Sequence, residues 1–206
     1  MVLEYQTIAQ EATAEIMEKK SRFIAHVIPI TGEEDGFRAL DEIRATYREA
    51  NHNCWALVSG IERKIERCSD DGEPSGTAGR PILEVIRGAN LTNVLVVVTR
   101  YFGGTLLGTG GLVKAYTQAG REGIAAGTIL IKIYGLKLQI KVDYTFLGKV
   151  QYFLAQKKVR IITSEYETEV KLVLQVAEKE REELVKEIIE LTNGQVEIEE
   201  GEREWF

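Results

Sequence analysis

Residues 93–127, NVLVVVTRYFGGTLLGTGGLVKAYTQAGREGIAAG, constrain the fold more than any other stretch. The apolar, mostly β-branched run Val94 to Val98 predicts a strand covered on both faces. Leu112, Val113, Tyr116 and Ala119 recur at helical spacing and predict a helix with one apolar face. The link between them carries glycine at 103, 104, 108, 110 and 111, and eight of the chain's 19 glycines fall between 103 and 127. Glycine serves where a backbone takes positive φ or lies close to another group. A loop of this kind running into a helix presents free amides and the positive end of the helix dipole, so Gly103, Gly104, Gly108, Gly110 and Gly111 form a candidate anion seat. The same glycines also suit a tight turn and a close helix-to-sheet contact, with Arg100 and Lys114 extending to water. Two phosphate fingerprints fail here. Gly103 and Gly108 have P-loop spacing but Thr109 replaces the lysine, and Val113 stands where a dinucleotide motif beginning at Gly108 needs its third glycine.

Charge marks out the same region. No Asp or Glu occurs from Val85 to Arg121, which holds Arg87, Arg100, Lys114 and Arg121, although 32 carboxylates outnumber 26 Lys and Arg overall. A net charge of −6 argues against indiscriminate binding to nucleic acid or anionic membrane, so any such contact is local. The N-terminus lacks the basic and apolar segments of a signal peptide, and no apolar run approaches the ~20 residues of a membrane span. Cys54 and Cys68 lack zinc-site spacing and suit a reducing compartment. The expected location is the cytoplasm, with no membrane partner and no cofactor.

Periodicity orders the rest. Residues 4 to 30 read as strands around a charged turn at Glu18–Ser21. Phe37, Leu40, Ile43 and Tyr47 mark the buried stripe of a helix with an acidic first turn. His52 to Ser59 alternates as a strand, and a charged hairpin-like segment leads into the loop Asp70 to Pro81 and a helix Ile82 to Gly88. Thr128 to Tyr134 reads as a strand, and the chain changes character near Gly135. From there a strand, a helix (Thr145 to Lys158), two strands, a second helix (Lys179 to Leu191) and a last strand follow the order β-α-β-β-α-β. We therefore expect two α+β domains, residues 1–134 and 135–206, with net charges of −2 and −4.

Three clusters invite chemistry. Alternation puts His52 and Cys54 on one strand face, as a nucleophile and base require, although a buried cysteine beside a hydrogen-bonded histidine gives the same pattern. Asp70, Asp71 and Glu73 are candidate ligands for a divalent cation, or acceptors that build the loop. Charge order further suggests that this acidic cluster and the glycine turn flank one groove, with Arg80 and Arg100 as its cationic members. No catalytic residue and no metal centre is assigned. The terminal pair Trp205-Phe206 is either a partner hook or a strand end tucked onto its sheet.

The blocks Asp70-Asp71-Gly72-Glu73-Pro74-Ser75-Gly76-Thr77-Ala78-Gly79-Arg80-Pro81, Val98-Thr99-Arg100-Tyr101-Phe102-Gly103-Gly104 and Leu107 to Tyr116 resemble the paired signature of the YigZ/IMPACT family. Lys20 to Ala25 and His52 to Ala56 resemble its two earlier blocks, and the tail from about 135 is similar to the second domain of bacterial members. Leu106 stands where many relatives carry a lysine. The resemblance implies an N-terminal α/β sandwich similar to the second domain of a small-subunit ribosomal protein. It also implies a C-terminal ferredoxin-like domain resembling part of elongation factor G. It points to a non-enzymatic regulatory protein linked to translation, meeting RNA, the ribosome or a translation-associated protein. On that reading Arg80, Arg100 and Lys114 supply charge, Tyr101 and Phe102 stacking, and the glycine loop backbone donors. The competing reading is a nucleotide- or phosphate-dependent enzyme akin to small-molecule kinases, using Gly103 to Gly111.

Overall fold

The computed structural model describes residues 2–62 and 64–206. Arg63, in the charged segment before the Asp70 loop, lies outside the described residues. In chain order the elements are β1 (Glu4–Ile8), β2 (Ala12–Glu18), β3 (Ser21–Pro29), α1 (Glu33–Thr46), β4 (His52–Ser59), β5 (Ile65–Ser69), α2 (Gly79–Gly88), β6 (Val94–Tyr101) and α3 (Gly108–Ala126). They continue with β7 (Ile129–Val142), α4 (Tyr144–Gln156), β8 (Arg160–Tyr166), β9 (Val170–Ala177), α5 (Arg181–Leu191) and β10 (Glu197–Trp205). Packing divides the chain into a unit Tyr5–Ile131 and a second unit of Lys132–Phe206 with the N-terminal residues up to Glu4. The division falls inside β7, so the two strands expected on either side of Gly135 are one strand of 14 residues.

In the first unit the sheet order is β2-β3-β6-β4-β5, with every neighbouring pair antiparallel. Side chains of a strand alternate between faces, so each strand feeds two cores. Val94, Val96 and Val98 of β6 join Phe23, Ala25, Cys54 and Ala56 in the core beneath α2 and α3. Leu95 and Val97 face the other way, with Ile28, Trp55 and Leu57, against Leu40 of α1. The central position of β6, with helices on both sides, accounts for its uninterrupted apolar run.

Local details depart from the periodic reading where tertiary contacts override it. Phe37 is half exposed, touching Trp55 edge-on at 5.6 Å, while Gly36 and Leu40 make the buried stripe of α1. A Cβ on Gly36 would lie 2.4 Å from Leu57 Cδ1, so the missing side chain sets how closely α1 approaches the sheet. The helix expected from Ile82 begins three residues earlier, at Gly79, because the Asp70 carboxylate accepts from the amides of Ala78 and Gly79 at 2.9 Å. That cap lies far upstream, beyond the reach of a local helix signal.

The hairpin joining β2 and β3 turns at Lys19 and Lys20, with φ of 46° and 68°, the left-handed pair that a two-residue turn requires. The glycine loop crosses directly over it. A Cβ on Gly103 would meet the Lys20 carbonyl at 2.0 Å, so only glycine fits there. Gly110, by contrast, has no atom within 4 Å of the corresponding position.

The second unit has the order β10-β7-β9-β8, all antiparallel, within the element order β-α-β-β-α-β. Leu136, Leu138 and Ile140 alternate inward with Leu172 and Leu174, against Val150 and Leu154 of α4 and Leu184 and Ile188 of α5. Asp143 caps α4 by accepting from the Thr145 amide at 2.8 Å. The other sheet face carries cross-strand ion pairs, Lys137 with Glu204 at 3.0 Å and Lys141 with Glu197 at 2.8 Å, as suits a solvated face. The Trp205 ring lies 5.2 Å from that of Tyr134, and Phe206 exchanges both backbone hydrogen bonds with Ile133, so the terminal aromatics continue the sheet. Among the described residues no helix is long and apolar enough to cross a membrane.

Two measurements follow from this packing. Gly103→Ala is expected to cost at least about 2 kcal/mol in urea unfolding through the backbone clash, whereas Gly110→Ala is expected to be neutral or stabilising by up to about 1 kcal/mol. His26 on β3 is buried against the Tyr47 ring at 4.8 Å, with no partner for Nε2 among the described residues, and burial lowers its pKa to about 4. The folded state thus favours the neutral ring. The contribution is whole above pH 6.5 and is lost as pH falls through 4. The stability difference between wild type and His26→Leu should therefore shift by about 3 kcal/mol between pH 7 and pH 4, to the disadvantage of wild type at low pH.

Candidate binding cleft

Strand register assembles the site. Arg100, near the end of β6, lies opposite Phe23 of β3 on one side and His52 of β4 on the other. The Asp70–Ala78 loop turns at Asp71 and Gly72, with φ of 46° and 89°, and brings Glu73 over this end of the sheet. One oxygen of Glu73, Oε1, accepts from Arg100 Nη1 at 2.5 Å and from the Tyr116 hydroxyl of α3 at 2.7 Å. The ion-paired side chains are only 7% and 4% exposed. Arg100 also lies 5.3 Å from the Phe23 ring and 5.7 Å from the Phe102 ring, and its Nη2 reaches Ser21 Oγ at 3.4 Å. A charge this deeply buried is stable only with its counter-ion, and loss of one partner of such a pair costs roughly 3–5 kcal/mol.

The surrounding polar groups have fixed duties. His52 Nδ1 meets the Asp71 carbonyl at 2.8 Å, and because a carbonyl only accepts, this nitrogen carries the proton; Nε2 faces Glu73 at 4.0 Å. Cys54 Sγ donates to the Asp70 carbonyl at 3.0 Å and lies 3.3 Å from the Tyr116 oxygen. Burial pushes the thiol up to about 12, so it stays protonated near neutral pH and makes a poor nucleophile. Burial, reinforced by Cys54 and Glu73, also raises the Tyr116 hydroxyl far above its usual range and keeps it a donor. The Cys54–His52 pattern is that of a buried cysteine beside a hydrogen-bonded histidine.

The acidic trio does not converge. Asp70 takes the amides of Gly76, Ala78 and Gly79; burial opposes ionisation, and these three bonds outweigh it and hold the carboxyl below its ordinary range. Asp71 accepts from Arg44 at 3.1 Å and from the Asn53 amide at 2.6 Å, while Glu73 serves Arg100 and Tyr116. Among the described residues no group of three His, Cys, Asp or Glu side chains is placed to hold a metal ion. The divalent-cation reading of Asp70, Asp71 and Glu73 is thus replaced by loop building.

The glycine loop is partly occupied by its own fold. The Phe102 amide donates to Asn51 Oδ1 at 2.8 Å and the Gly103 amide to Ser21 Oγ at 3.2 Å. Gly104 and Gly108 take φ of 83° and 71°, where glycine is favoured, and a Cβ on Gly111 would lie 3.1 Å from Leu107 Cβ. Leu107 gives α3 no side-chain cap, and Gly108 and Thr109 of the first turn of α3 line a cleft of about 470 Å³. Asn51, His52, Glu73, Pro74, Arg100, Phe102, Leu106, Leu107, Gly108, Thr109 and Leu112 line it. Phe102 is 46% and Leu106 84% exposed, while Arg100 is neutralised below them.

The expected cationic members do not meet. Arg80 lies on α2 in a separate groove with Arg121, and Lys114 lines a third depression beside Met17 and Glu18. Tyr101 carries Arg22 at 5.9 Å over its ring and is not among the cleft residues. The reading of one groove shared by Arg80 and Arg100 is corrected accordingly. Glu73 as counter-ion, Tyr116 as its second donor, and Ser21 and Asn51 as acceptors for the loop were not assigned from sequence. Their positions are set by strand register and a long loop, and no local spacing announces them.

Comparisons with known proteins agree with this architecture. The Impact N-terminal domain matches residues 19–124, and a domain of unknown function (DUF1949) matches residues 140–195. The chain is 38% identical over 203 residues to the IMPACT family member YvyE of Bacillus subtilis (strain 168), which covers 98% of this chain and 93% of that protein. It is 33% identical over 182 residues to the IMPACT family member YigZ of Escherichia coli (strain K12), covering 87% and 89% of the two chains. A crystal structure of a hypothetical protein superposes with a TM-score of 0.64 at 31% identity, covering 98% of this chain and 99% of that one. With both domain models matched in order and relatives aligned over most of its length, the chain belongs to the IMPACT family.

Proposed function

We propose that this chain is a non-enzymatic regulatory protein of the translation apparatus that grips a translation-associated protein through the cleft at the end of β6. The observation that carries the reading is the pairing of two exposed apolar side chains, Phe102 and Leu106, with a neutralised floor, the Arg100–Glu73 pair. An RNA backbone calls for several free cations along a track. Arg80 and Lys114 line other depressions, and the cleft position 106 carries the uncharged Leu106. A protein surface suits exposed aromatic and aliphatic anchors around uncapped backbone donors.

The link to translation, and with it a cytoplasmic location, comes from the family resemblance. The same resemblance reads the first unit as the α/β sandwich of a small-subunit ribosomal protein's second domain and the second as ferredoxin-like, which the strand order β10-β7-β9-β8 supports. A phosphate-dependent enzyme built on Gly103–Gly111 is less well supported. The loop lacks the lysine of a P-loop, and the guanidinium beneath it is already paired.

Co-sedimentation with ribosomes carrying their bound factors, from roughly 50 to 300 mM salt, tests the reading. Binding is expected to change little with salt and to fall at least tenfold on the double substitution Phe102→Ser, Leu106→Asp, with the thermal midpoint retained. Steep salt dependence that ignores those substitutions would assign the contact to RNA phosphates instead. Absence of co-sedimentation would remove the proposed partner class.

A further inference from the structure

A larger groove lies between α2 and α3, away from the Phe102 cleft. The two helices meet where Val85 stands 3.7 Å from the position a Cβ on Gly120 would take, and the groove they enclose has a volume of about 790 Å³. Pro81, Val85 and Ile124 contribute to its apolar lining, and Val113 and Ile129 extend it although they are 37% and 47% exposed. Large aliphatic side chains left open along one concave surface mark a binding surface more often than chance exposure does. The volume falls within the roughly 300–1,000 Å³ of small-molecule sites.

Charge gives the groove a polarity. Arg80 on α2 and Arg121 on α3 both line it, both are exposed, and among the described residues neither has a hydrogen-bond or ion-pair partner. Glu84 also lines the groove but is held by Arg87 at 2.7 Å, and Arg87 also pairs with Glu66. The two free guanidiniums are thus uncompensated within the lining, on a chain whose net charge is −6. Three other arginines of this unit are paired with carboxylates, Arg22 with Glu15, Arg44 with Asp71 and Arg67 with Glu33.

We propose that this groove binds a small anion with an apolar body, of the medium-chain carboxylate class, its hydrocarbon against Val85, Val113, Ile124 and Ile129 and its carboxylate between Arg80 and Arg121. The site is separate from the Phe102 cleft and does not rest on the function proposed for it. An arginine presents paired N–H donors to a carboxylate, and apolar contact alone does not distinguish an acid from its alcohol.

Isothermal titration of the full chain with decanoate, and in parallel with decanol, provides the test. One saturable decanoate site is expected, with decanol at least tenfold weaker. Arg80→Gln combined with Arg121→Gln should weaken decanoate at least tenfold and leave decanol unchanged, and the thermal midpoint should hold because both side chains are exposed and unpartnered. Val113→Asp, on the exposed rim, should weaken both ligands, which places the hydrocarbon in this groove. Absence of saturable decanoate binding, equal binding of the alcohol, or binding unaffected by the arginine pair would overturn the proposal.

Discussion

Glu73 and Arg100 form an ion pair almost wholly removed from water, and the cleft end of the first unit is organised around it. Arg100 is fixed in the sheet by β6, whereas Glu73 sits on a loop with little regular structure of its own. A single carboxylate oxygen, shared by Arg100 and the Tyr116 hydroxyl, therefore ties the Asp70 loop to the sheet and to α3 at once. Asp70 and Asp71 secure the same loop from its start, one by capping α2 and the other through Arg44 and the Asn53 amide. Two buried charges are costly to desolvate, so the arrangement specifies a conformation more than it adds stability.

That pairing changes what the glycine loop presents. Viewed as sequence, Arg100 followed by Tyr101-Phe102-Gly103-Gly104 suggests a charged, anion-seeking surface. In the folded chain the positive charge is spent internally, two loop amides serve Ser21 and Asn51, and the side chains left outward are Phe102 and Leu106. The cleft is thus more apolar than its composition suggests. Free cationic character resides instead between α2 and α3, where Arg80 and Arg121 face an aliphatic lining.

Much of the fold is legible because it depends on short-range periodicity. The run Val94–Val98, the turn at Lys19-Lys20, the α3 stripe apart from the exposed Val113, and the β-α-β-β-α-β order of the second unit all follow from spacings within a few residues. The site is less legible because its determinants are distant in sequence. Glu73 and Arg100 are 27 residues apart, Ser21 and Gly103 are 82 apart, and only the register of β3, β4 and β6 brings them together. Arg80 departs from the sequence expectation for a related reason. It adjoins the Asp70 loop in sequence, yet the helix starting at Gly79 carries its side chain to the α3 side. The family blocks do not reveal which of their charges cancel.

The central claim, that the Arg100–Glu73 pair holds the cleft in shape, is tested most directly by a double-mutant cycle in urea unfolding with Arg100→Met, Glu73→Gln and their combination. Each single change strands a buried charge and should cost roughly 3–5 kcal/mol, while the double change strands none and should cost at least about 2 kcal/mol less than the sum. Single losses below about 1 kcal/mol that simply add would show that the two groups do not depend on one another, and would contradict this account.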